Sequence, residues 1–420
     1  MVSGMKNNHW NVKVDQNGHL ILPAQLAEKI GIHSGDSLLV QENQDSLILS
    51  RPVHTIARVN IELTNQCNLN CLTCMRNTWE ETAGYMTEST FSRILEDIKT
   101  RTPVPMVFFG GFGEPLLHPN LIEMVQAVKA AGARAELITN GTLLDDRLTR
   151  RLVELQLDRL WVSLDGANPD CYADVRLGAA LPLVISNMKN LYHHRFISHS
   201  SFPQIGVAFV AMQRNISDLP ELIHLSTQFG AKYYSISNVL PHTPALQHEM
   251  LYRRSMYDAV YLQNDVLSNI DLPRMDLDKT TLQVFGDLLR SSYRTNLGPD
   301  HSSQRVNTCP FLVKGSVSVR WDGRMSPCLP LLHTHPAYLD DRLRISKEFF
   351  FGSVTEQGLS EIWDSPEYRD FRVRLQTFDF SPCVMCNSCE MANDNNEDCF
   401  GNTFPACGGC LWAQGLIQCP

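Results

Sequence analysis

Three cysteines in the first fifth of the chain have a spacing that suits a metal cluster. Cys67, Cys71 and Cys74 form a C-x3-C-x2-C pattern directly after a short apolar run, Val59–Leu63. Three thiolates on one loop can bind three irons of a cubane iron–sulfur cluster, which leaves the fourth iron open to a small-molecule ligand. A zinc site or chance spacing is the alternative that these three cysteines alone leave open.

The C-terminal region holds most of the remaining cysteines. The chain has 13 cysteines, an odd number that does not suit complete disulfide pairing. Clustered cysteines in a chain without a secretory signal more often bind metal. The alternative is a zinc ribbon made of the Cys383-x2-Cys386 and Cys407-x2-Cys410 pairs. The candidate ligands beyond residue 300 are Cys309, Cys328, Cys383, Cys386, Cys389, Cys399, Cys407, Cys410 and Cys419.

Apolar runs alternate with amphipathic helix candidates between residues 54 and 245, which predicts an α/β fold with a parallel sheet covered by helices. Six such units make a partial (β/α)6 barrel, in which the chemistry sits at the C-terminal ends of the strands. The cysteine loop follows the first candidate strand. The six candidates are Val59–Leu63, Met106–Phe109, Ala135–Thr139, Leu160–Leu164, Ile205–Val210 and Tyr233–Ser237.

This pattern, together with the glycine-rich loop Gly110–Pro115 after the second strand, resembles the radical S-adenosylmethionine (SAM) superfamily over about residues 55–240. The resemblance implies a [4Fe–4S] cluster whose open iron binds SAM. One electron then cleaves SAM to a 5′-deoxyadenosyl radical, which takes a hydrogen atom from the substrate. The family often has an aromatic residue before the third cysteine, whereas this chain has Thr73.

The same resemblance implies the SAM contacts. It places Gly111, Gly113 and Glu114 at the amino group. Polar side chains at the end of a barrel strand can bind the ribose or the carboxylate, and the candidates for these are Ser163 and Arg176. Glycines let the backbone approach a ligand closely. The alternatives are a plain glycine turn, helix caps or loop contacts, and core packing for the apolar residue. The full set of expected contacts is Gly111, Gly113, Glu114, Asn140, Ser163, Asp165, Arg176 and Met212.

The C-terminal cysteines resemble the SPASM domain, which holds one or two auxiliary [4Fe–4S] clusters. The resemblance rests on the pattern C-x13-G-x4-C from Cys309 to Cys328, followed by Cys383-x2-Cys386-x2-Cys389. The crossed order of that family implies that Cys309, Cys328 and a later cysteine share one cluster. The Cys383 triplet would share the other cluster with a second late cysteine. The spacing beyond Cys389 departs from the family pattern.

The first 53 residues alternate apolar and polar positions around an Asn17-Gly18 turn signal, with a short helix expected over Pro23–Ile30. The run from Val14 to Pro23, with Gly35-Asp36 beyond it, resembles the AbrB-like swapped-hairpin family. Its members usually dimerise, and many bind DNA. Four basic residues against five acidic ones favour dimerisation or partner docking over DNA binding.

Composition limits the function classes. The net charge of −9 argues against a nucleic-acid-binding protein, and no apolar run of about 20 residues occurs. The polar N-terminus lacks a secretory signal, so we expect a cytoplasmic protein. The expected domains are residues 1–53 (swapped hairpin), 54–245 (partial barrel), 246–300 (helical connector) and 301–420 (irregular cysteine-rich cluster domain).

The chain ending, residues 398–415, and Cys74-Met75-Arg76-Asn77 resemble radical SAM maturases associated with tungsten-dependent oxidoreductases of the aldehyde ferredoxin oxidoreductase type. The first hypothesis is therefore a maturase of such an enzyme. The second is a ribosomal-peptide maturase that forms thioether or carbon–carbon crosslinks. The third is an Fe–S redox-sensing DNA-binding regulator. Expected partners are a peptide or protein substrate, a ferredoxin or flavodoxin as electron donor, and a second copy of the chain.

Overall fold

The computed structural model describes residues 12–24, 26, 39–43, 46–50, 55–256, 270–271, 273–290 and 307–419. The chain divides into two compact units, Met1–His54 and Thr55–Pro420. Within the described part of the chain, no helix has the length and apolar character needed to cross a membrane.

The first unit contains two antiparallel hairpins, whose strands are β1 (Lys13–Val14), β2 (Leu20–Ile21), β3 (Leu39–Asn43) and β4 (Ser46–Ser50). Asp15 closes the first turn, because its Oδ1 accepts the amides of Asn17 and His19, each at 2.8 Å. Gly18 has a φ of +83°, a conformation that favours glycine. The helix expected over Pro23–Ile30 lies mostly outside the described residues.

The second unit is built on a mostly parallel sheet. Its strands β5 to β10 are parallel neighbours in chain order, as the partial (β/α)6 fold requires, so the predicted fold class is confirmed. A short strand from the segment expected to be a helical connector adds to the outer edge of β10. The strands are β5 (Arg58–Ile61), β6 (Met106–Phe109), β7 (Ala135–Thr139), β8 (Arg159–Ser163), β9 (Gln204–Ala211), β10 (Ala231–Asn238) and β11 (Ile270–Asp271).

Amphipathic helices connect these strands. Side-chain caps fix where two of them begin: Thr87 accepts the amide of Thr90 at 3.2 Å, and Asp145 accepts that of Leu148 at 2.7 Å. Short 3-10 turns lie at Met75–Thr78, Pro115–Leu117, Ile216–Asp218 and Pro244–Glu249. The helices are α1 (Glu88–Thr100), α2 (Leu121–Ala130), α3 (Asp146–Glu154), α4 (Pro169–Val175), α5 (Leu181–Ile197), α6 (Leu219–Thr227) and α7 (Lys279–Arg290).

The cysteine-rich C-terminal region continues the same sheet. Strand β12 (Ser316–Val319) pairs in parallel with β5, and β13 (Arg324–Ser326) and β16 (Gly352–Ser353) extend the sheet antiparallel. Strands β14 (His335–Leu339) and β15 (Arg342–Ser346) form a separate hairpin. The other elements are α8 (Pro310–Val313), α9 (Leu359–Asp364), α10 (Pro366–Thr377) and 3-10 turns at Pro330–Leu332, Cys383–Met385 and Glu390–Asn393.

The middle of the sheet depends on a glycine. The ring of buried Trp161 lies where a Cβ on Gly206 would stand, at only 2.4 Å, and the indole Nε1 donates to Glu136 Oε2 at 3.2 Å. A side chain on Gly206 therefore has to displace a ring that is held by both packing and a hydrogen bond.

We expect Gly206→Ala to destabilise the protein by about 1–3 kcal/mol through overpacking. Gly286→Ala is the matched control, because Gly286 lies in helix α7 with no atom within 4 Å of an added Cβ. The control should be neutral or stabilising by up to about 1 kcal/mol. Melting temperatures measured anaerobically should separate the two variants, and equal values would contradict this packing.

Candidate metal-cluster site

The cysteine loop leaves the C-terminal end of β5 and is fixed by bonds to its own backbone carbonyls. Arg76 Nη2 donates to Leu69 O at 2.8 Å, and Asn77 Nδ2 donates to Cys71 O at 3.0 Å. The amide of Cys74 also donates to Cys71 O at 3.1 Å. These bonds shape the loop while the three thiols remain unbridged.

The three sulfurs act on one another electrostatically. Burial raises the pKa of Cys67 and of Cys71, and the charge of Cys74 raises both further. The guanidinium of Arg176, with Nη1 4.0 Å from Cys71 Sγ, lowers the pKa of Cys71. Bound metal would remove the cost of holding several thiolates together.

The donor set consists of three thiols on one loop, as a cubane cluster would need. Among the residues that the structure describes, no three His, Cys, Asp or Glu side chains converge on one metal ion. A cubane cluster binds its thiolates through separate irons, so its ligands need not converge on one point. Cys71 is buried, whereas Cys67 borders an open cavity of about 610 Å³ lined by Cys67, Asn68, Leu69, Asn70, Arg76, Asn77, Leu177 and Gly178.

The glycine-rich loop packs directly against the cysteine loop. A Cβ on Gly113 would lie 2.0 Å from Thr64 O and 2.7 Å from Gln66 O. The amide of Glu114 donates to Gln66 O at 2.7 Å. A Cβ on Gly111 would lie 2.7 Å from the Glu62 side chain. Both glycines are therefore needed for this close approach, before any ligand is considered.

Glu114 is buried and fully engaged within the protein. Its Oε1 accepts Thr139 Oγ1 at 2.7 Å and the amide of Leu116 at 3.1 Å, while Oε2 accepts the amide of Asn140 at 2.8 Å. Burial raises the pKa of Glu114, and these bonds oppose that shift. Glu114 thus positions Asn140, whose Nδ2 lies 3.7 Å from Cys67 Sγ.

Three of the remaining expected SAM contacts, Asp165, Arg176 and Met212, lie against the cysteine loop. Asp165 and Arg176 form a buried ion pair at 2.7 Å, and Asp165 Oδ1 accepts the amide of Val210 at 2.8 Å. Burial lowers the pKa of Arg176, but the charges of Asp165 and Cys71 raise it above the ordinary value. Ser163 is half-buried at the end of β8, and Met212 is buried in a small apolar cluster against Leu72.

A buried charged cluster beside the glycine loop was missed by the sequence analysis. His333 Nε2 donates to Glu62 Oε2 at 2.9 Å, and Nδ1 donates to Glu81 Oε1 at 2.8 Å. Glu62 Oε1 also accepts the amide of Phe112 at 3.0 Å, and Trp79 stacks on the imidazole with ring centroids 4.0 Å apart. Residue spacing gives no signal for this cluster, because His333 is 271 residues from Glu62.

His333 carries a positive charge at neutral pH. Burial acts to lower the pKa of its imidazole, but the carboxylates of Glu62 and Glu81 raise it to about 9. The residue itself is 0% exposed. His333 therefore joins the C-terminal region to Glu62, at the end of strand β5, through a buried ionic contact, and Glu62 in turn accepts the amide of Phe112 in the glycine loop.

Four of the C-terminal thiols lie around one small cavity and act on one another's pKa. Burial raises the pKa of Cys328 well above its ordinary value, and the charges of Cys309, Cys410 and Cys407 raise it further. Burial also raises the pKa of Cys407, with Cys410 and Cys309 as the nearest contributing cysteines. These four thiols border a cavity of about 90 Å³, which Cys383 also lines.

Cys383 belongs with a different set. Burial raises the pKa of Cys383, and Asp398, Cys386 and Cys399 are the charges that raise it further. Ser381 Oγ lies 3.0 Å from Cys399 Sγ. The charges that raise the pKa of Cys383 and those that raise the pKa of Cys407 thus come from different cysteines, although Cys383 also borders the cavity of the first four thiols.

Comparisons with known proteins show the families to which the two cysteine-bearing regions belong. A family model described as the radical SAM superfamily matches residues 61–207, and one described as the SPASM iron–sulfur cluster-binding domain matches residues 309–390. The second match ends before Cys399, Cys407 and Cys410. The match therefore gives no information on cluster ligands beyond residue 390.

Two curated relatives span most of the chain. The tungsten-containing aldehyde ferredoxin oxidoreductase cofactor-modifying protein of Pyrococcus furiosus is 31% identical over 370 residues, covering 86% of this chain and 96% of the relative. The PqqA peptide cyclase of Gluconobacter oxydans is 27% identical over 334 residues, covering 78% and 81%. The crystal structure of Streptococcus suis SuiB bound to precursor peptide SuiA has a TM-score of 0.53 at 13% identity, covering 86% of this chain and 81% of that chain, which shows a shared fold.

The contact between the two loops can be tested at Gly113. Gly113→Ala places a methyl group against two backbone carbonyls that cannot move without shifting the cysteine loop. We expect at least about tenfold weaker SAM binding, equivalent to about 1.4 kcal/mol, in equilibrium dialysis of the iron-loaded protein. Gly286→Ala should bind SAM as the wild type does, and unchanged affinity in Gly113→Ala would contradict the contact.

The His333 cluster predicts a pH-dependent stability. A raised imidazole pKa contributes stability that is complete below the ordinary value of 6.5 and is lost as the pH rises through about 9. His333→Gln should therefore lower the stability on the order of 3 kcal/mol near pH 6.5 and much less above pH 9, as measured by melting temperature. The Glu62→Gln/His333→Gln double variant should recover part of the loss, because it leaves no unpaired buried charge at this contact. A difference that does not change with pH would contradict the ionic contact.

Proposed function

Because this chain belongs to the radical SAM superfamily and carries a SPASM domain, we propose that it modifies a peptide or protein in the maturation of a tungsten-dependent oxidoreductase. The observation that carries the proposal is the identity to the Pyrococcus furiosus cofactor-modifying protein over almost the whole of that relative. The two proteins share the barrel and the cysteine-rich region together, so the likeness is not confined to the common SAM-binding part.

In the proposed reaction, bound SAM and its cluster supply a 5′-deoxyadenosyl radical for hydrogen abstraction. Cys67, Cys71 and Cys74 would hold that cluster. Gly111 and Gly113 bring the glycine loop against the cysteine loop, and Glu114 fixes the position of Asn140 beside Cys67. Asp165 holds Arg176 next to Cys71, so the guanidinium partly offsets the thiolate charge.

The grouping of the late cysteines supports a specific ligand set. One auxiliary cluster would take Cys309, Cys328, Cys407 and Cys410, because the charges of the other three raise the pKa of Cys328 and those of Cys410 and Cys309 raise the pKa of Cys407. The other would take Cys383, Cys386, Cys389 and Cys399. Cys419 would remain outside both sets as a ninth thiol, although its charge raises the pKa of Cys410. Burial raises the pKa of Cys419 itself, and a hydrogen bond with Trp412 and the charges of Lys314 and Arg58 oppose that shift.

The second candidate function is maturation of a ribosomal peptide by a thioether or carbon–carbon crosslink. The likeness to a peptide cyclase over 78% of this chain favours it, and both candidates need the same radical chemistry. The regulator hypothesis gains no support, because residues 1–53 lack a basic surplus. We propose dimerisation through that segment, a ferredoxin or flavodoxin as electron donor, and the cytoplasm as the location.

The experiment compares the two substrates directly. Anaerobic, dithionite-reduced protein is mixed with SAM and either a cofactor-containing tungsten oxidoreductase or a cysteine-containing precursor peptide encoded nearby. We expect 5′-deoxyadenosine in both mixtures and a mass change only in a component of the oxidoreductase. Cys71→Ala should form no 5′-deoxyadenosine, because the cluster that binds SAM needs that ligand.

A mass change in the precursor peptide alone would replace the first candidate with the second. Absence of 5′-deoxyadenosine from iron-loaded wild type in both mixtures would contradict both candidates. Salt-sensitive DNA binding without SAM cleavage would favour the regulator instead.

A further inference from the structure

Two arginines of strand β15 bind the backbone of the loop that carries Cys383, Cys386 and Cys389. Arg344 Nη1 donates to Cys383 O at 2.6 Å, and its Nη2 donates to Val384 O and Cys386 O, each at 3.3 Å. Arg342 Nη1 donates to Cys386 O at 3.3 Å, and its Nη2 donates to Cys389 O. The positions 342 and 344 share one side of the strand, so both guanidiniums face the same loop.

The charge of Arg344 lacks an ordinary counter-ion. The residue is 6% exposed, and within the described part of the chain its guanidinium forms no ion pair with a carboxylate. Its Nε is buried without an acceptor. The carboxylate that acts on it through space, Asp340, is exposed to solvent. A buried cation without a counter-ion is costly, and a nearby anion would offset that cost.

The neighbouring cysteines offer that anion. Cys383 and Cys386 are the sulfur groups whose charges act on Arg344. In the other group neutral donors bind the corresponding carbonyls: Val313 donates its amide to Cys309 O, and Ser326 Oγ donates to Cys328 O at 3.1 Å. The cation whose charge acts on Cys407, Arg374, is only half-buried. The two groups therefore differ in the buried positive charge beside them.

We propose that Arg344 supplies the counter-charge of an anionic cluster held by Cys383, Cys386, Cys389 and Cys399, and that it raises the reduction potential of this cluster. A one-electron reduction adds one negative charge to the cluster, and a buried cation favours that reduced form. Arg342 makes a smaller contribution, because it is half-buried and its charge is screened by water. The inference rests on the ligand set proposed above, and it needs no substrate.

The test uses the full-length chain with Cys67→Ala, Cys71→Ala and Cys74→Ala, so that only auxiliary clusters contribute. Redox-poised electron paramagnetic resonance gives a midpoint potential for each signal. Arg344→Gln should move one signal to lower potential by about 59 mV or more, which is a tenfold change in the one-electron equilibrium. The other signal should stay in place. Arg342→Gln should move the same signal by less.

The Arg344→Lys variant distinguishes an effect of the positive charge from an effect of the hydrogen bonds that support the loop. It keeps the positive charge but cannot form the same fork of bonds. Our proposal predicts that Arg344→Lys keeps a reduction potential near that of the parent protein. It predicts that Arg344→Gln, at equal iron content, has a lower potential. The proposal that a positive charge is needed at this position is also supported if Arg344→Gln loses the cluster while Arg344→Lys keeps it at the parent potential.

Three results would overturn the proposal. The first is an unchanged potential in Arg344→Gln. The second is identical behaviour of Lys and Gln, including iron loss from both, which would leave only a scaffolding role. The third is zinc in place of iron at these cysteines, which gives no redox signal. None of these results bears on whether the wild type cleaves SAM or on which protein it modifies.

Discussion

The parallel pairing of β12 with β5 determines how the two cysteine-bearing parts of the second unit are placed relative to each other. Ser316 to Val319 run in register with Arg58 to Ile61, and the amide of Glu62 donates to Val319 O at 2.9 Å. The buried Asn60 side chain adds bonds to Val317 O at 3.1 Å and Ser318 Oγ at 3.2 Å. Since the cysteine loop leaves β5, the C-terminal region is anchored to the very strand that carries the first cluster site.

Two buried carboxylates near the site are each paired with a cationic side chain. Glu62 is balanced by His333 and Asp165 by Arg176, and each pair lies against a loop that forms the site. Such pairs add little net stability compared with apolar packing, but loss of one partner is costly. They therefore fix the positions of the glycine loop and of Cys71 more than they strengthen the fold. Within the described residues, Arg344 has no carboxylate partner, and in our proposal a bound anionic cluster supplies the missing negative charge.

The sequence predicted the features that local patterns can encode. The C-x3-C-x2-C spacing, the six alternating units and the SPASM spacing of Cys309 and Cys328 were sufficient for the family and the fold class, which are confirmed. The pairing of β12 with β5 could not be predicted, because Ser316–Val319 is a short run without a strong pattern. His333 and Arg344 also escaped notice, since their roles come from contacts with distant segments. The sequence analysis expected Glu114 to contact SAM. The structure shows that its carboxylate already accepts hydrogen bonds from the protein itself.

The assignment of three separate cysteine groups is tested most directly by iron, sulfide and zinc analysis of anaerobically purified protein. We predict about twelve irons and as many sulfides per chain in the wild type, and about eight in the Cys67→Ala/Cys71→Ala/Cys74→Ala triple variant, with no zinc in either. A triple variant that carries zinc and no iron would contradict the account. The C-terminal cysteines would then form a structural zinc site, and the auxiliary clusters would have to be abandoned.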